Sequence, residues 1–350
     1  MEVMKITLES THDSTQWDTL LAKTSYGTIF HTWKWLKIVE KHTKTKLYPI
    51  IGFKGTNPIG IFPIFYQKKG FFKLILSPPY KTALVYLGPL IIDYENMKQG
   101  KRESTLFEFL KAADKFFLSN LEGNYLRITS APGLFDSRPF LWKGYKVETL
   151  YTLDVDLTKS SDALWESFDK ILRKNINGSL ERGISVEKGS LNDMDFIFDL
   201  VTKRLEERGI QVNTIDSAFH PDKSYLHDIY NSFYPQNLKV FIARYKGERI
   251  GGLLALSYNN RAMAWIGTPK INMKNVYPND LIHWEAIKWA KENGFQCYEI
   301  MDSGYSQPLC DYKSQFSPSP SIYFSCTKYS SNIARIARVV HRKLRKNEIL

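Results

Sequence analysis

Cysteine is scarce in this chain. Three thiols, Cys297, Cys310 and Cys326, among 350 residues are too few and too scattered for a disulfide framework or a zinc site. They read as reduced thiols of a cytoplasmic protein. Long apolar runs are missing as well. The longest, such as Ala83–Ile92, fall far short of the roughly 20 residues that span a bilayer, so no integral membrane segment is expected. The opening MEVMKITLES has an early acid and no apolar stretch, unlike a secretory signal. Acidic residues are the minority charge, 36 against 48 basic, for a net +12. That excess favours anionic partners: phosphorylated substrates, nucleic acid or an acidic membrane surface. With 43% hydrophobic and 24% charged residues, intrinsic disorder is excluded as the main state. The length predicts two domains.

Part of the charge is concentrated at the end of the chain. Arg335, Arg338, Arg342, Lys343, Arg345 and Lys346 stand against a single acid, Glu348, in the last 20 residues. The spacing Ile333, Ile336, Ala337, Val340, Leu344 predicts a basic amphipathic helix over 331–350. Its basic face is either solvated or in contact with RNA or an anionic membrane surface.

Two segments share a pattern. Residues 50–64 and 241–255 each read as a strand, a turn with Lys-Gly, and a strand opening with Ile-Gly. In the first copy Thr105-Leu106-Phe107-Glu108 forms a capping box for a helix continued by Phe109, Leu110, Ala113, Phe116 and Phe117. Gly123 stops that helix and Tyr125–Thr129 is strand-like. In the second, Asn279-Asp280 caps a helix through Leu281, Trp284, Ile287, Trp289 and Ala290, Asn293-Gly294 stops it, and Gln296–Ile300 is the next strand. Gly60 and Gly251 lie 191 positions apart and Gly123 and Gly294 171 apart, so the first copy holds 20 more residues, read as a loop insertion. The pattern predicts two similar α/β domains. A boundary falls near Asp156–Asp162, where an alternating strand gives way to a turn and a helix N-cap.

Several ordered pieces resemble one known group. They are Phe30-His31-Thr32-Trp33-Lys34-Trp35-Leu36; Gly88-Pro89 after the first hairpin; Leu172-Arg173-Lys174-Asn175-Ile176 followed by Glu181-Arg182-Gly183-Ile184-Ser185-Val186; Pro278 through Ala290; Asn293-Gly294 followed by Tyr298-Glu299; and Tyr312-Lys313-Ser314-Gln315-Phe316. In order and spacing the chain resembles the FemAB-related acyltransferases and their BioF2-like relatives. The resemblance implies an α/β fold of two tandem GNAT-like (acyl-CoA N-acyltransferase) domains, with mixed sheets flanked by helices. We place the domains at 1–157 and 158–330, with 331–350 as the terminal helix. The implied activity is acyl or aminoacyl transfer to an amine of a glycan precursor, a nucleotide-linked sugar, a peptide or another small molecule.

Such transfer needs an activated acyl donor, a neutral amine and stabilisation of the oxyanion. By resemblance Lys313 lies in the active site, stabilising negative charge or binding the donor. Glu299, where relatives often carry an acid, would take the amine proton or order a neighbouring base, with Asp302 competing for the role. Lys170, Arg173, Lys174 and Arg182 surround a helix and could clamp a phosphate or carboxylate, with Arg204 and Arg208 adding to that surface. Trp284 and Tyr312 are further substrate-binding candidates. His31 and His283 have no metal-like neighbour at i+4, so no metal site is expected. The phosphate-cradling Arg/Gln-x-x-Gly-x-Gly/Ala loop of acyl-CoA enzymes is missing: Val276-Tyr277-Pro278-Asn279-Asp280 stands in its place. Proline removes an N–H donor and Asp280 repels phosphate. No bound cofactor is expected, and the candidate donors are aminoacyl-tRNA and acyl-CoA, the first favoured by this absence. A catalytically silent RNA- or anion-binding module on the same scaffold and an acetyl-CoA-dependent N-acetyltransferase are the competing expectations.

Overall fold

A computed structural model describes residues 6–207, 221–269, 276–301 and 306–331. The terminal helix expected over 331–350 therefore lies outside the described residues, apart from Ser331. The chain forms two compact units. The first comprises the chain up to Pro79, Leu84–Leu150 and the chain from Ile322 onward; the second comprises Tyr80–Ala83 and Tyr151–Ser321.

The first half of the chain contains β1 (Ile6–Ser10), α1 (Ser14–Leu21), α2 (Trp33–His42), β2 (Lys46–Lys54), β3 (Asn57–Lys69), β4 (Phe72–Ser77), β5 (Leu90–Ile91), α3 (Gln99–Lys115), β6 (Tyr125–Thr129), α4 (Arg138–Trp142) and β7 (Lys146–Asp156). The second half contains α5 (Ser161–Ser167), α6 (Lys170–Glu181), β8 (Ser185–Lys188), α7 (Leu191–Glu207), α8 (Lys223–Phe233), β9 (Leu238–Tyr245), β10 (Glu248–Tyr258), β11 (Arg261–Pro269), α9 (Pro278–Glu292), β12 (Cys297–Glu299), α10 (Gln307–Ser314) and β13 (Ser319–Tyr329).

The sheet of the first unit runs β1-β2-β3-β4-β6-β13 and that of the second β7-β12-β11-β10-β9-β8. Each has one parallel pair, β4 with β6 and β11 with β12, reached through a helix, α3 or α9. The remaining neighbours with a described register are antiparallel. The duplication seen in the sequence is thus present in the topology. Against the contiguous division expected at 157/158, the units differ in three places, one of them the short Tyr80–Ala83 segment that belongs to the second unit. Residues 151–156 of β7 pair with β12 of the second unit, and residues 325–329 of β13 pair with β6 of the first. Each half of the chain therefore supplies the strand that finishes the other unit's sheet.

Burial explains the strand pattern. Ile61–Phe65 in β3 and Ile250–Ser257 in β10 are continuously buried, because both faces of each sheet are covered. Close approach of neighbouring groups explains Gly60 and the glycine after the second Ile-Gly pair, Gly252. A Cβ on Gly60 would lie 2.7 Å from the Leu90 carbonyl and 3.1 Å from the Phe109 ring; one on Gly252 would lie 2.4 Å from Ile197 of α7. In the second unit Phe241 meets Trp289 of α9 at 5.8 Å between ring centroids. Phe241 pairs with Leu253, so it faces opposite to Gly252. α7 and α9 therefore cover opposite faces.

Two helix starts differ from expectation. α3 begins at Gln99, so Thr105-Leu106-Phe107-Glu108 lies inside the helix. Arg102 instead ties the preceding loop, donating to the carbonyls of Tyr94, Glu95 and Met97. α9 begins at Pro278, so Asn279 and Asp280 are its second and third residues and not its cap.

Candidate active site

β11 and β12 pair over only three positions, ending at Met263 and Glu299, while β11 continues to Pro269. The strands part there. On its other side β11 is bulged: Ala255 opposes Ala264 and Leu254 opposes Ile266, which leaves Trp265 unopposed. Its indole N–H donates to the Ala83 carbonyl at 2.8 Å. Ala83 belongs to the short segment that the first half contributes to this unit. The loop insertion inferred from sequence thus supplies part of the wall beside the strand divergence.

Lys313 comes from α10 and is 8% exposed. Its ammonium donates to the Met301 carbonyl at 3.1 Å, just past the end of β12. Around it gathers a buried polar cluster on the α9 face. His283 Nδ1 is 2.9 Å from the Tyr298 hydroxyl. Asn279 donates to the Tyr312 hydroxyl at 2.7 Å, and Asn175 of α6 donates to the Asp280 carboxylate at 2.9 Å. The Tyr312 hydroxyl also bonds to Asp280. Phe316 closes the cluster, with ring centroids 5.5 Å from His283 and 5.7 Å from Tyr312. Burial, and then the Lys313 charge, push the His283 pKa down to about 3, so the imidazole stays neutral. Burial raises the Asp280 pKa, opposed by the hydrogen bonds from Asn175 and Tyr312. Burial likewise raises the Tyr312 hydroxyl well above the usual phenol range.

Glu299 lies elsewhere. Strand alternation turns Tyr298 toward α9 and Glu299 toward the opposite face. There Glu299, fully buried, accepts from Thr152 at 2.6 Å and from Arg261 at 3.2 Å. Arg261 also grips Asp154 in a two-point contact, and Asp154 accepts from Ser321 at 2.6 Å. The two residues assigned to catalysis from the sequence are therefore not brought together. Glu299 belongs to a buried ion cluster, and its partners Arg261, Asp154 and Thr152 are far away in sequence.

The basic clamp is dispersed. Arg173 turns to Glu166 at 2.5 Å, with its Nε buried and unpartnered. Lys170 and Lys174 face solvent, and Arg182 donates back to the Gly178 carbonyl of its own helix. Arg208 and Asp302 lie outside the described residues. Trp284 packs on Trp165 at 4.9 Å and Phe168 at 5.6 Å between centroids, as a half-buried wedge among α5, α9 and the following turn. Of the substrate-binding candidates among the described residues, Tyr312 alone joins the Lys313 cluster directly. Asp280 entered the sequence reading as a helix cap and as a repellent to phosphate; its place as the acceptor of two buried donors was missed. Asn175 and Tyr298 carried no signal of a site. Among the described residues no group of acids, histidines and cysteines could hold a metal ion.

The equivalent divergence in the first unit is bridged by its own chain. β4 and β6 pair up to Ser77 and Ile128. Beyond that point Leu87 forms a parallel bridge to Ser130 and its N–H donates to the Thr129 carbonyl at 2.9 Å. Gly88 donates to the Ser77 hydroxyl at 3.0 Å, and His31 bonds the Leu87 carbonyl at 3.0 Å. Gly88 has φ +75°, and a Cβ there would lie 2.8 Å from the Ser130 Cα. His31 is buried and held neutral, its pKa pushed down to about 4 by burial against three backbone hydrogen bonds.

Known proteins give the same fold. Residues 167–314 match the family profile described as "Acetyltransferase (GNAT) domain". The structure of FemX superposes with TM-score 0.68 at 14% identity, covering 90% of this chain and 96% of that one. L-PGS from Bacillus licheniformis gives 0.56 at 13% identity, covering 94% and 96%. A tandem GNAT protein from the clavulanic acid biosynthesis pathway gives 0.53 at 10%, covering 93% and 99%. No curated protein matches the chain in sequence. Strand order, parallel divergence and profile match agree: this chain has the tandem GNAT fold seen in FemX, and its residues 167–314 match the GNAT acetyltransferase profile.

Proposed function

We propose that the second unit transfers an acyl or aminoacyl group to an amine at the divergence of β11 and β12, with Lys313 as the oxyanion-stabilising group. The observation that carries this reading is the burial of Lys313 with its ammonium anchored at the end of β12. A positive charge in a site shielded from water acts far more strongly on developing negative charge than one in solvent. The amine attacks the donor carbonyl carbon, a C–N bond forms, and the tetrahedral oxyanion collapses with loss of the donor's oxygen or sulfur. His283, held neutral with a pKa of about 3, is too weak a base for the amine proton, and Asp280 already accepts two hydrogen bonds. We assign the proton to water.

The N-terminus of α9 bears on the donor. Acyl-CoA pyrophosphate binding at a helix N-terminus needs free backbone N–H groups and no competing anion. Here Pro278 lacks an N–H and Asp280 is packed into the first turn by Asn175 and Tyr312. That favours aminoacyl-tRNA over acyl-CoA as donor. The acceptor is an amine of a peptide, glycan precursor or nucleotide-linked sugar. The FemX and L-PGS structures share this fold at 14% and 13% identity, which supports the fold class and not the individual substrate.

Lys313→Met keeps the length of the side chain and removes its charge. We expect transfer to fall by about 10²–10³, with the protein remaining folded by circular dichroism. An active variant overturns the assignment. Thermal stabilisation by acetyl-CoA, and none by aminoacyl-tRNA, would move the donor to acyl-CoA.

A further inference from the structure

One end of the first unit's sheet carries a surface that the transfer reaction does not use. The β3–β4 hairpin closes with a two-residue loop, Gly70-Phe71, between the paired residues Lys69 and Phe72. Gly70 has φ +54°, which suits such a tight turn. Phe71 is 65% exposed, the most exposed large apolar side chain among the described residues. It is held there by a buried clamp: the Asn124 amide donates to the Phe71 carbonyl at 2.8 Å and accepts from the Lys73 N–H at 2.9 Å. The ring is therefore presented on fixed backbone and not on a slack loop.

Lysine surrounds it. Lys68 and Lys69 are exposed and flank the tip, and Lys73 pairs with Glu122. The neighbouring turn into β2 adds Lys41, Lys44 and Lys46, all exposed. Register places the two turns at the same end of the sheet, since Lys46 opposes Tyr66, and Gln67 donates to the Lys44 carbonyl at 3.1 Å. Neither turn, 41–46 or 68–73, contains an acid, and with Glu122 paired to Lys73 the lysines are in clear excess.

We infer that this end of the first unit, with Phe71 at its tip, docks on an anionic lipid bilayer. An aromatic ring on a convex tip, ringed by cations on flexible stems, suits an interface where the ring enters the acyl boundary and the ammonium groups meet phosphate headgroups. Single-stranded RNA is held by rings lining a groove and by arginine planes; Phe71 projects outward and the described cations beside it, in residues 41–46 and 68–73, are lysines.

The test uses the full chain and sedimenting vesicles of phosphatidylcholine, with or without phosphatidylglycerol. We expect binding to the anionic vesicles alone, weakening as salt rises. Phe71→Ser should weaken it about tenfold. Lys68→Gln with Lys69→Gln should weaken it about thirtyfold at low salt. Both variants should melt with the wild type, because the altered side chains are exposed. Absence of binding to anionic vesicles overturns the inference, as does undiminished binding by both variants. Binding of labelled tRNA that is lost in the lysine variant, without vesicle binding, reassigns the surface to RNA and also overturns it.

Discussion

Two imidazoles are stored uncharged, and this makes stability depend on acid. His31 and His283 have pKa values pushed down to about 4 and about 3, whereas the unfolded chain takes up these protons near pH 6.5. Below that value the unfolded state binds more protons, so stability falls as pH falls. Each histidine costs about 1.4 kcal/mol per pH unit, down to about pH 4 for His31 and about pH 3 for His283. Urea unfolding at several pH values should show this slope. His283→Gln should flatten it by about 1.4 kcal/mol per unit. The ion cluster gives a second expectation. Arg261→Met leaves Glu299 and Asp154 buried without their cation and should cost about 3–5 kcal/mol. Glu299→Gln leaves Arg261 its partner Asp154 and should cost less while leaving transfer active, as a titration of both variants with urea alongside an amide-formation assay would show. Lys313 stood out in sequence because its motif is local, and the structure buries it. The setting of Glu299 was not legible in sequence, since Arg261 and Asp154 reach it through strand pairing across long stretches of chain.

Local signals served the elements unevenly. Hairpin turns and helix-stopping glycines act within a few residues, and both copies of the Lys-Gly turn and the stop at Gly294, with φ +80°, stand where the pattern placed them. The beginning of α3 was misread because a capping-box sequence can sit in a helix interior once another side chain, Arg102, secures the loop ahead of it. The role of Gly88 was also hidden, since nothing in a Gly-Pro pair reveals that Ser130 will lie against it. Gly88→Ala combines a positive φ with backbone overlap and should destabilise the first unit by about 2 kcal/mol or more, measurable as a lowered melting temperature.

Across the whole molecule, composition and duplication revealed the two units but not their exchange of final strands, which depends on contacts between distant parts of the chain. That exchange has a direct test. Residues 1–157 expressed alone lack the strand 322–329, and residues 158–350 alone lack 151–156. Each fragment leaves an unpaired sheet edge, so each should be insoluble by itself and soluble when the two are produced together. The bridging of the first divergence by Leu87 has a different consequence. Twin folds of common design would suggest two turnover centres and a stoichiometry of two. With one crevice stitched shut by the insertion that also reaches Trp265, a tight-binding inhibitor should saturate this protein at a single equivalent per chain.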